Sequence, residues 1–330
     1  LLGPLWRGAI MTTAITTVLA LSFVVLTGFG GITSLAQMAF AGIAGFSLSK
    51  IAMNTGIPFP WAPILAALIA AAFGTLIGLP AIRLRGTNLA IVTLAGGVAI
   101  TEFLFKDPRL VGDANSGGAK IPHPKFGDWD IALVLGTKTS RPVYGIFLVL
   151  VALLLALLVV NIRRSGVGRR MLAVRSNERA ASAAGINVAS VKLVVFTISA
   201  FIAGVAGTLT AYRFGAVSDV SYGTVASLTA LAVAYLGGIT SVSGAVTAGI
   251  VATSGVAFFG TRQLIGGLGT WEALIGGVLL ILTAILNPEG IAGAFRKQAD
   301  ARRKIKAMRA KAANGPGPDD SALQPAEAVG

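Results

Sequence analysis

Few residues of this chain could make or break a covalent bond. The sequence has no cysteine and one histidine, His123, which lies between two prolines with no nucleophile or metal-ligand pattern beside it. Disulfide frameworks, thiolate sites and Cys/His zinc sites are therefore excluded. The stretch GGAKI at 117–121 lacks the spacing of a phosphate-binding P-loop. We predict no catalytic residue, no metal site and no cofactor bound by this chain, so that any ATP binds to another subunit.

Polar side chains inside long apolar stretches are the remaining candidates for function, because such residues are costly in a membrane and often mark a solute path. Thr33 and Ser34 follow the doublet Gly30-Gly31, and Thr240 and Ser241 follow the doublet Gly237-Gly238. Helix breaks of this kind expose backbone N–H and C=O groups that can hold a polar solute. The alternative is hydrogen bonding between helices. The candidates are Thr33, Ser34, Gln37, Asn88, Glu102, Thr240 and Ser241.

The composition requires a membrane around the elements that carry these residues. Of 330 residues, 55% are hydrophobic and 12% are charged, and the mean hydropathy is +0.80. A soluble globule could not bury so much apolar surface. Because a spanning helix takes about 20 residues, we predict an all-α, polytopic transmembrane helix bundle with about 8–10 membrane segments. The apolar runs are 9–27, 33–53, 61–79, 88–105, 142–161, 191–212, 224–240, 244–260 and 271–287.

Basic residues indicate how the bundle is oriented. Residues 163–192 contain seven lysines and arginines, and residues 296–311 contain eight, out of 27 in the chain. Because cytoplasmic loops carry the excess of such residues, both segments are predicted to be cytoplasmic. The loop 106–141 has only a weak excess of positive charge and is predicted to lie outside. Nine full crossings would also place Leu1 outside, and one re-entrant segment would move it inside.

These assignments divide the chain into two parts. Residues 1–290 form the predicted transmembrane domain, with a cytoplasmic loop at 163–190 and an external loop at 106–141. Residues 291–330 form a basic and then disordered cytoplasmic tail. Acidic lipid headgroups attract such basic segments by about 1 kcal/mol per residue. The tail lacks interleaved aromatic residues, so membrane lipid is the predicted partner and nucleic acid is not.

Two parts of the chain resemble one another. The sequence GGITS occurs at 30–34 and at 237–241, and Ala-Gly-Ile recurs at the same offset at 41–43 and 248–250. Transporters are often built from repeated halves, which favours an internal repeat. Chance is the alternative, because glycine, alanine, isoleucine and threonine are abundant here. An inverted repeat would require one run to be a hairpin or half-span.

The loop 163–190 is predicted to form two short helices. Ser176 or Asn177 can cap the second helix, and Glu178 in its first turn is favoured by the helix dipole. Gly185 suits the turn after it. The interrupted apolar face comprises Met171, Leu172, Val174, Ala180, Ala181, Ala183 and Ala184. Such a loop suits docking to a cytosolic protein or contact with acidic headgroups, and the pattern alone does not separate the two.

A series of motifs runs through residues 28–290. The loop carries Ser165-Gly166-x-Gly168-Arg169 and Arg175-Ser176-Asn177-Glu178, and Leu236-Gly237-Gly238-Ile239 follows downstream. Upstream lie Ser34-Leu35-x-Gln37-x2-Phe40 and Leu79-Pro80-Ala81-x-Arg83. Together they strongly resemble the inner membrane permease family for branched-chain amino acids, the LivM-type subunits of ATP-binding-cassette importers.

This resemblance implies a type II importer-like permease in a bacterial inner membrane. Its expected partners are a second related permease, two cytosolic ATPase subunits that bind ATP-Mg, and an extracytoplasmic substrate-binding protein. The loop would be the coupling element that the ATPases contact, with the glycines setting its turns. The residues that the resemblance assigns to it are Gly166, Gly168, Arg169, Arg175, Glu178, Arg179, Ala181 and Gly185.

Two other functions stay open on the sequence alone. The same machinery could carry urea, short amides or nucleosides instead of branched-chain amino acids. An ion-coupled secondary transporter would need acidic or histidine side chains inside the membrane. Apart from Glu102, the runs offer only Asp219 and Glu272 near helix ends.

Overall fold

The structure is a computed structural model that describes residues 3–82, 84, 87–107, 119–126, 129–130, 142–252, 255–257, 278, 290–293 and 298. Of the predicted run 271–287 and the predicted tail 291–330, the described residues include only 278, 291–293 and 298. Glu272 and most of the loop 106–141 also lie outside the described residues.

Helices make up most of the described chain. In sequence order they are α1 (Pro4–Phe23), α2 (Gln37–Asn54), α3 (Trp61–Ala81), α4 (Thr87–Ile100), α5 (Pro142–Arg164), α6 (Gly166–Ser176), α7 (Glu178–Ala183), α8 (Val188–Phe214), α9 (Thr224–Gly237) and α10 (Val242–Val251). π-Helical turns extend α1 over Val24–Phe29 and α4 over Thr101–Phe105, and a 3₁₀ turn covers Val220–Tyr222. The short strands are β1 (Ala119–Lys120), β2 (Lys125–Phe126), β3 (Trp129–Asp130) and β4 (Ala216–Val217), paired antiparallel as β1–β4 and β2–β3.

Six described helical segments are long and apolar enough to cross a membrane. They are Leu5–Phe29, Trp61–Pro80, Asn88–Phe105, Pro142–Arg164, Val188–Phe214 and Val220–Gly237. The prediction of a helical, polytopic membrane protein is thereby confirmed. The predicted runs 33–53 and 244–260 correspond to α2 and α10, which are not among these six. Whether they cross as well, as the predicted 8–10 segments require, stays a prediction.

Helix α8 lies at the centre of the bundle and packs against α1, α2 and α3. Its small residues allow close approach of the backbones. A Cβ atom on Gly207 would overlap the Ala41 carbonyl oxygen of α2, and one on Gly204 would collide with Ala67 and Ala70 of α3. In lipid, where apolar burial gains little, such close packing is a main source of helix association.

The ends of α8 define two ends of the bundle, which we call the loop end, beside α6 and α7, and the distal end. At the distal end, Arg213 of α8 donates hydrogen bonds to Thr12 Oγ1 (2.7 Å) and to the Gly8 carbonyl (3.3 Å) near the start of α1. At the loop end, Gly30 packs against Val195 near the start of α8. Helix α1 therefore begins at the distal end, as the alternating count of runs predicts.

The outward surface of α5 has the character of a lipid-facing helix. Its exposed large side chains are apolar, namely Val143, Ile146, Val149, Leu150, Leu153, Leu154, Leu157 and Leu158. The opposite face, with Tyr144 and Leu148, is buried against the bundle. This division places the hydrocarbon of the membrane along α5.

Candidate functional site

The loop 163–190 folds into α6 and α7, as the sequence predicts. The Ser165 hydroxyl accepts a hydrogen bond from the Gly168 N–H (3.3 Å) and caps α6. The Asn177 side chain accepts hydrogen bonds from the N–H groups of residues 179 and 180 (3.0 and 3.1 Å) and caps α7. Gly185 ends this segment with φ of +79°. The predicted capping by Asn177 and the predicted turn at Gly185 are confirmed.

Fewer apolar residues of this loop are buried against the bundle than the sequence predicts. Met171, Val174 and Ala181 are buried, and Leu172 is half-buried. The predicted apolar residues Ala180, Ala183 and Ala184 are exposed instead. Helix α7 has only six residues, too few for a continuous apolar stripe to face the bundle. Its outer side therefore presents small side chains to the surroundings.

The predicted glycines of the loop differ in their surroundings. Gly168 is buried against the end of α5, where a Cβ atom would overlap the Ile162 carbonyl oxygen. Gly166 begins α6 and has open space around it. Gly168 therefore sets the angle between α5 and α6, and Gly166 carries no such constraint.

Four charged residues of the loop are assigned to docking. Arg169, Arg175 and Arg179 are exposed. The Glu178 carboxylate instead forms an ion pair with Lys192 of α8 at 2.7 Å, and the Lys192 side chain is only 4% exposed. A buried ammonium without such a partner would be costly. Lys192 had no role assigned from sequence, where it counted only as one of the basic residues of the segment.

Arg175 is exposed, yet its side chain contacts the first glycine break. Its guanidinium donates a hydrogen bond to the Gly28 carbonyl, close to the end of the π-helical turn that extends α1. Its aliphatic stem packs against Gly31, whose φ is +68°. A carbonyl near a helix end needs a partner from outside the helix, and an arginine side chain can supply one.

The two glycine breaks lie against each other. A Cβ atom on Gly28 would overlap the Ile239 carbonyl oxygen, so the backbone of the first break touches that of the second. Gly238 has φ of +113° and ends α9. The self-similar segments 30–34 and 237–241 are therefore neighbours at the loop end of the bundle.

The polar residues of the breaks differ in their partners. Ser34 is fully buried and its hydroxyl accepts a hydrogen bond from the Ala36 N–H (3.2 Å). Ser241 is buried and caps α10 by accepting from the Gly244 N–H (3.1 Å). Thr33 and Thr240 are half-buried. The hydroxyls of Ser34 and Ser241 thus bond to backbone within their own segments, and these bonds are not the hydrogen bonds between helices that the alternative from sequence proposed.

Gln37 of α2 and Ser199 of α8 form a buried polar contact, which we call the Gln37 cluster. Its Nε2 atom donates to the Ser199 hydroxyl at 2.8 Å, and its Oε1 atom has no hydrogen-bond partner among the described residues. Thr93 of α4 accepts from the Leu35 N–H (3.3 Å) just before α2. Gln37, Ser199 and Thr93 are all fully buried. Sequence reasoning missed Ser199 and Thr93 because both read as ordinary hydroxyls in apolar helices.

The other predicted path residues lie away from this cluster. Glu102 is exposed and pairs with Lys106 at 2.7 Å, one helical turn later. Asn88 is exposed at the start of α4. Asp219 caps the 3₁₀ turn by accepting from the Val220 N–H (2.9 Å). Glu102 and Asp219 thus have local partners within the described residues.

A family model and two of the most similar relatives agree on one family. Residues 7–285 match the family described as "Branched-chain amino acid transport system / permease component". The high-affinity branched-chain amino acid transport system permease protein LivM of Salmonella typhimurium strain LT2 is 34% identical over 315 residues, covering 91% of this chain and 72% of the relative. LivM of Escherichia coli K12 is 34% identical over 302 residues, covering 87% and 69%. The D-allose transport system permease protein AlsC of Escherichia coli K12 is 32% identical over 201 residues, covering 60% and 56%. No solved structure matches the chain.

The Glu178–Lys192 ion pair yields a prediction for stability. Replacing Glu178→Gln leaves the Lys192 charge buried without its carboxylate. We expect the free energy of unfolding in detergent to fall by about 2 kcal/mol, less than the roughly 3–5 kcal/mol for fully buried pairs, because Glu178 is 30% exposed. The double variant Glu178→Gln/Lys192→Met should recover most of this loss in thermal unfolding.

The matched control is Arg179→Gln, which neutralises the exposed next residue and should unfold like the unsubstituted protein. A Glu178→Gln protein as stable as the control would contradict the assigned role of the ion pair.

Proposed function

This chain belongs to the family of permease components of branched-chain amino acid transport systems, and on that premise we propose that it forms the translocation path for branched-chain amino acids in an ATP-driven importer. It is a multi-pass, non-catalytic membrane subunit, in line with the prediction from sequence. The observation that carries the proposal is the loop 163–190, which two intramolecular contacts fasten to the membrane helices while its outer side stays exposed.

ATP hydrolysis by separate subunits can drive transport only if the ATPases contact the permease differently in its two conformations. We assign this contact to the outer side of α6 and α7. Arg169 and Arg179 supply exposed positive charge, and Ala180, Ala183 and Ala184 supply exposed small side chains. The excess of basic residues in this loop favours the cytosolic side, where the ATPases lie.

The assembly proposed here contains two cytosolic ATPase subunits with ATP-Mg, a second related permease and a substrate-binding protein. The binding protein would deliver its cargo at the distal end, the side that the charge distribution places outside. The ATPases would dock at the loop end. The basic tail 296–311 would rest on the cytosolic leaflet.

The Gln37 cluster is our proposed polar point on the path. Because the Gln37 amide has one oxygen and one NH₂ group and Ser199 engages one of them, one polar atom remains unpaired whichever way the amide is turned. Leaving such a group unpaired costs about 1–3 kcal/mol. A passing amino or carboxylate group could engage it without a full buried charge on the protein. Ala36 and Phe40, which lie near Gln37 in sequence, are buried apolar residues.

Branched-chain amino acids are favoured as cargo by the extent of the similarity. The two LivM relatives align with 87–91% of this chain, whereas the D-allose permease aligns with 60%. A small zwitterion with an aliphatic side chain also suits the few buried polar groups near Gln37 and the lack of a buried acidic side chain among them.

Competition for uptake tests the cargo. In vesicles that contain this permease with its partner subunits and binding protein, excess isoleucine or valine should inhibit uptake of labelled leucine at least tenfold. Urea, adenosine and D-allose at the same concentration should leave it unchanged. Stronger inhibition by any of these three than by isoleucine would overturn the proposed substrate class.

Charge reversal on the loop tests the docking surface. Arg169→Glu combined with Arg179→Glu should weaken co-purification of the ATPases at least tenfold, about 1.4 kcal/mol or more in binding free energy. Because both side chains are exposed, thermal unfolding of the membrane subunit should not change.

Lys125→Glu reverses an exposed charge in the external segment and serves as the matched control, with co-purification retained. Equal recovery of the ATPases with the double variant and the control would count against docking at α6 and α7.

A further inference from the structure

Arg175 is an exposed residue of the loop, and its guanidinium contacts the first glycine break. The guanidinium donates to the Gly28 carbonyl, and no backbone N–H among the described loop and turn contacts donates to that oxygen. The neighbouring carbonyls of residues 25, 26 and 27 accept from the N–H groups of residues 30, 32 and 31. Arg175 therefore completes the hydrogen bonding at the end of the π-helical turn.

A second arginine contacts the same turn. The Arg163 guanidinium, at the end of α5, lies 5.9 Å from the ring centroid of Phe29. Such a cation–π contact is an attractive interaction. Two arginines therefore contact the turn Val24–Phe29. Arg175 contacts the Gly28 carbonyl, and Arg163 contacts the Phe29 ring. π-Helical turns are rare and often lie at functional positions.

The same turn touches the second glycine break from its other side. Gly28 lies directly against the Ile239 carbonyl, with no room for a Cβ atom. Gly30 lies equally close to Val195 of α8. If α6 moves together with Arg175, either the hydrogen bond to Gly28 breaks or the turn moves as well. A turn that moves toward Ile239 or Val195 must displace them, because the contacts leave no space.

We propose that Arg175 is a positioning residue that transmits movement of α6 to both glycine breaks, through the contact sequence Arg175, Gly28 and Ile239. It acts within the permease and does not bind the ATPase, in contrast to the docking role that its motif suggests. The inference rests on the proposed function, because it presupposes ATPases that move α6. It explains why Gly31 is required beside Arg175, since a side chain there would collide with the arginine stem.

Uncoupling is the expected consequence of removing this link. In Arg175→Met the apolar stem is kept and the hydrogen bond is lost. We expect the ATPases to co-purify within twofold of the unsubstituted level and basal ATP hydrolysis to continue. Leucine uptake should fall at least tenfold, so that the number of ATP molecules hydrolysed per leucine rises by a similar factor. Arg175→Lys, which can still donate to the Gly28 carbonyl, should restore uptake to within about threefold.

Two controls make the result decisive. Arg164→Met applies the same substitution to an exposed arginine at the end of α5, outside the proposed docking surface, and should leave uptake and coupling unchanged. Thermal unfolding of each purified complex separates uncoupling from misfolding. If Arg175→Met does not fold, Arg175→Gln decides, because its amide nitrogen ends two bonds short of the guanidinium nitrogen that contacts Gly28. An assembled Arg175→Gln complex with a raised ATP-to-leucine ratio supports the proposal, and an unchanged ratio overturns it.

The outcomes distinguish this inference from the proposed function. Loss of the ATPases from Arg175→Met would show that Arg175 docks the ATPase, which overturns the inference and leaves the importer intact. Normal leucine uptake by a folded Arg175→Met complex would overturn it as well. Failure of the unsubstituted chain to bind ATPases at all would instead refute the proposed function.

Discussion

The close packing of α8 against its neighbours is the constraint on which the rest of the structure depends. Lipid tails are as apolar as leucine side chains, so helices in a membrane gain little from burying apolar surface and depend on tight contact. Gly204 and Gly207 bring the backbones of α3 and α2 up to α8. Helix α8 also carries Ser199, which contacts Gln37 of α2, and Arg213, which contacts Thr12 of α1.

At the loop end, the start of α8 contacts both α7 and the end of α1. Lys192 there is buried and requires the Glu178 carboxylate, so α7 is anchored by charge. The end of α1 packs on Val195 and carries the carbonyl that Arg175 engages. The loop consequently has an inner side committed to the permease and an outer side free for a partner. An element that connects a soluble motor to membrane helices needs both.

Local features of the fold could be predicted from the sequence. Eight of the nine apolar runs located described helices to within a few residues at most ends, and Asn177 and Gly185 were recognisable as the cap and turn of α7. The ninth run, 271–287, lies almost wholly outside the described residues. The Gly-Gly doublets predicted the breaks after α1 and α9. Each of these signals lies within a few neighbouring residues, where spacing and backbone preference decide the outcome.

Contacts between distant residues could not be predicted in this way. Arg175 and Gly28 are 147 residues apart, and Gln37 and Ser199 are 162 apart. The family resemblance assigned Arg175 and Glu178 to docking, because the local pattern does not reveal that their partners are Gly28 and Lys192. The predicted apolar face of α7 was also wrong, because the small side chain of alanine suits a buried or an exposed position. Of the alanines in α7, only Ala181 is buried.

The most direct test of the account is the accessibility of α7, and the absence of cysteine from the chain makes single-cysteine labelling clean. Cysteine introduced by Ala183→Cys, at an exposed position, should react with a membrane-impermeant maleimide only from the cytosolic side, and bound ATPase subunits should block the reaction. His123→Cys, also at an exposed position, should react only from the outside. Labelling at residue 183 from the outside, or undiminished labelling with the ATPases bound, would contradict the account.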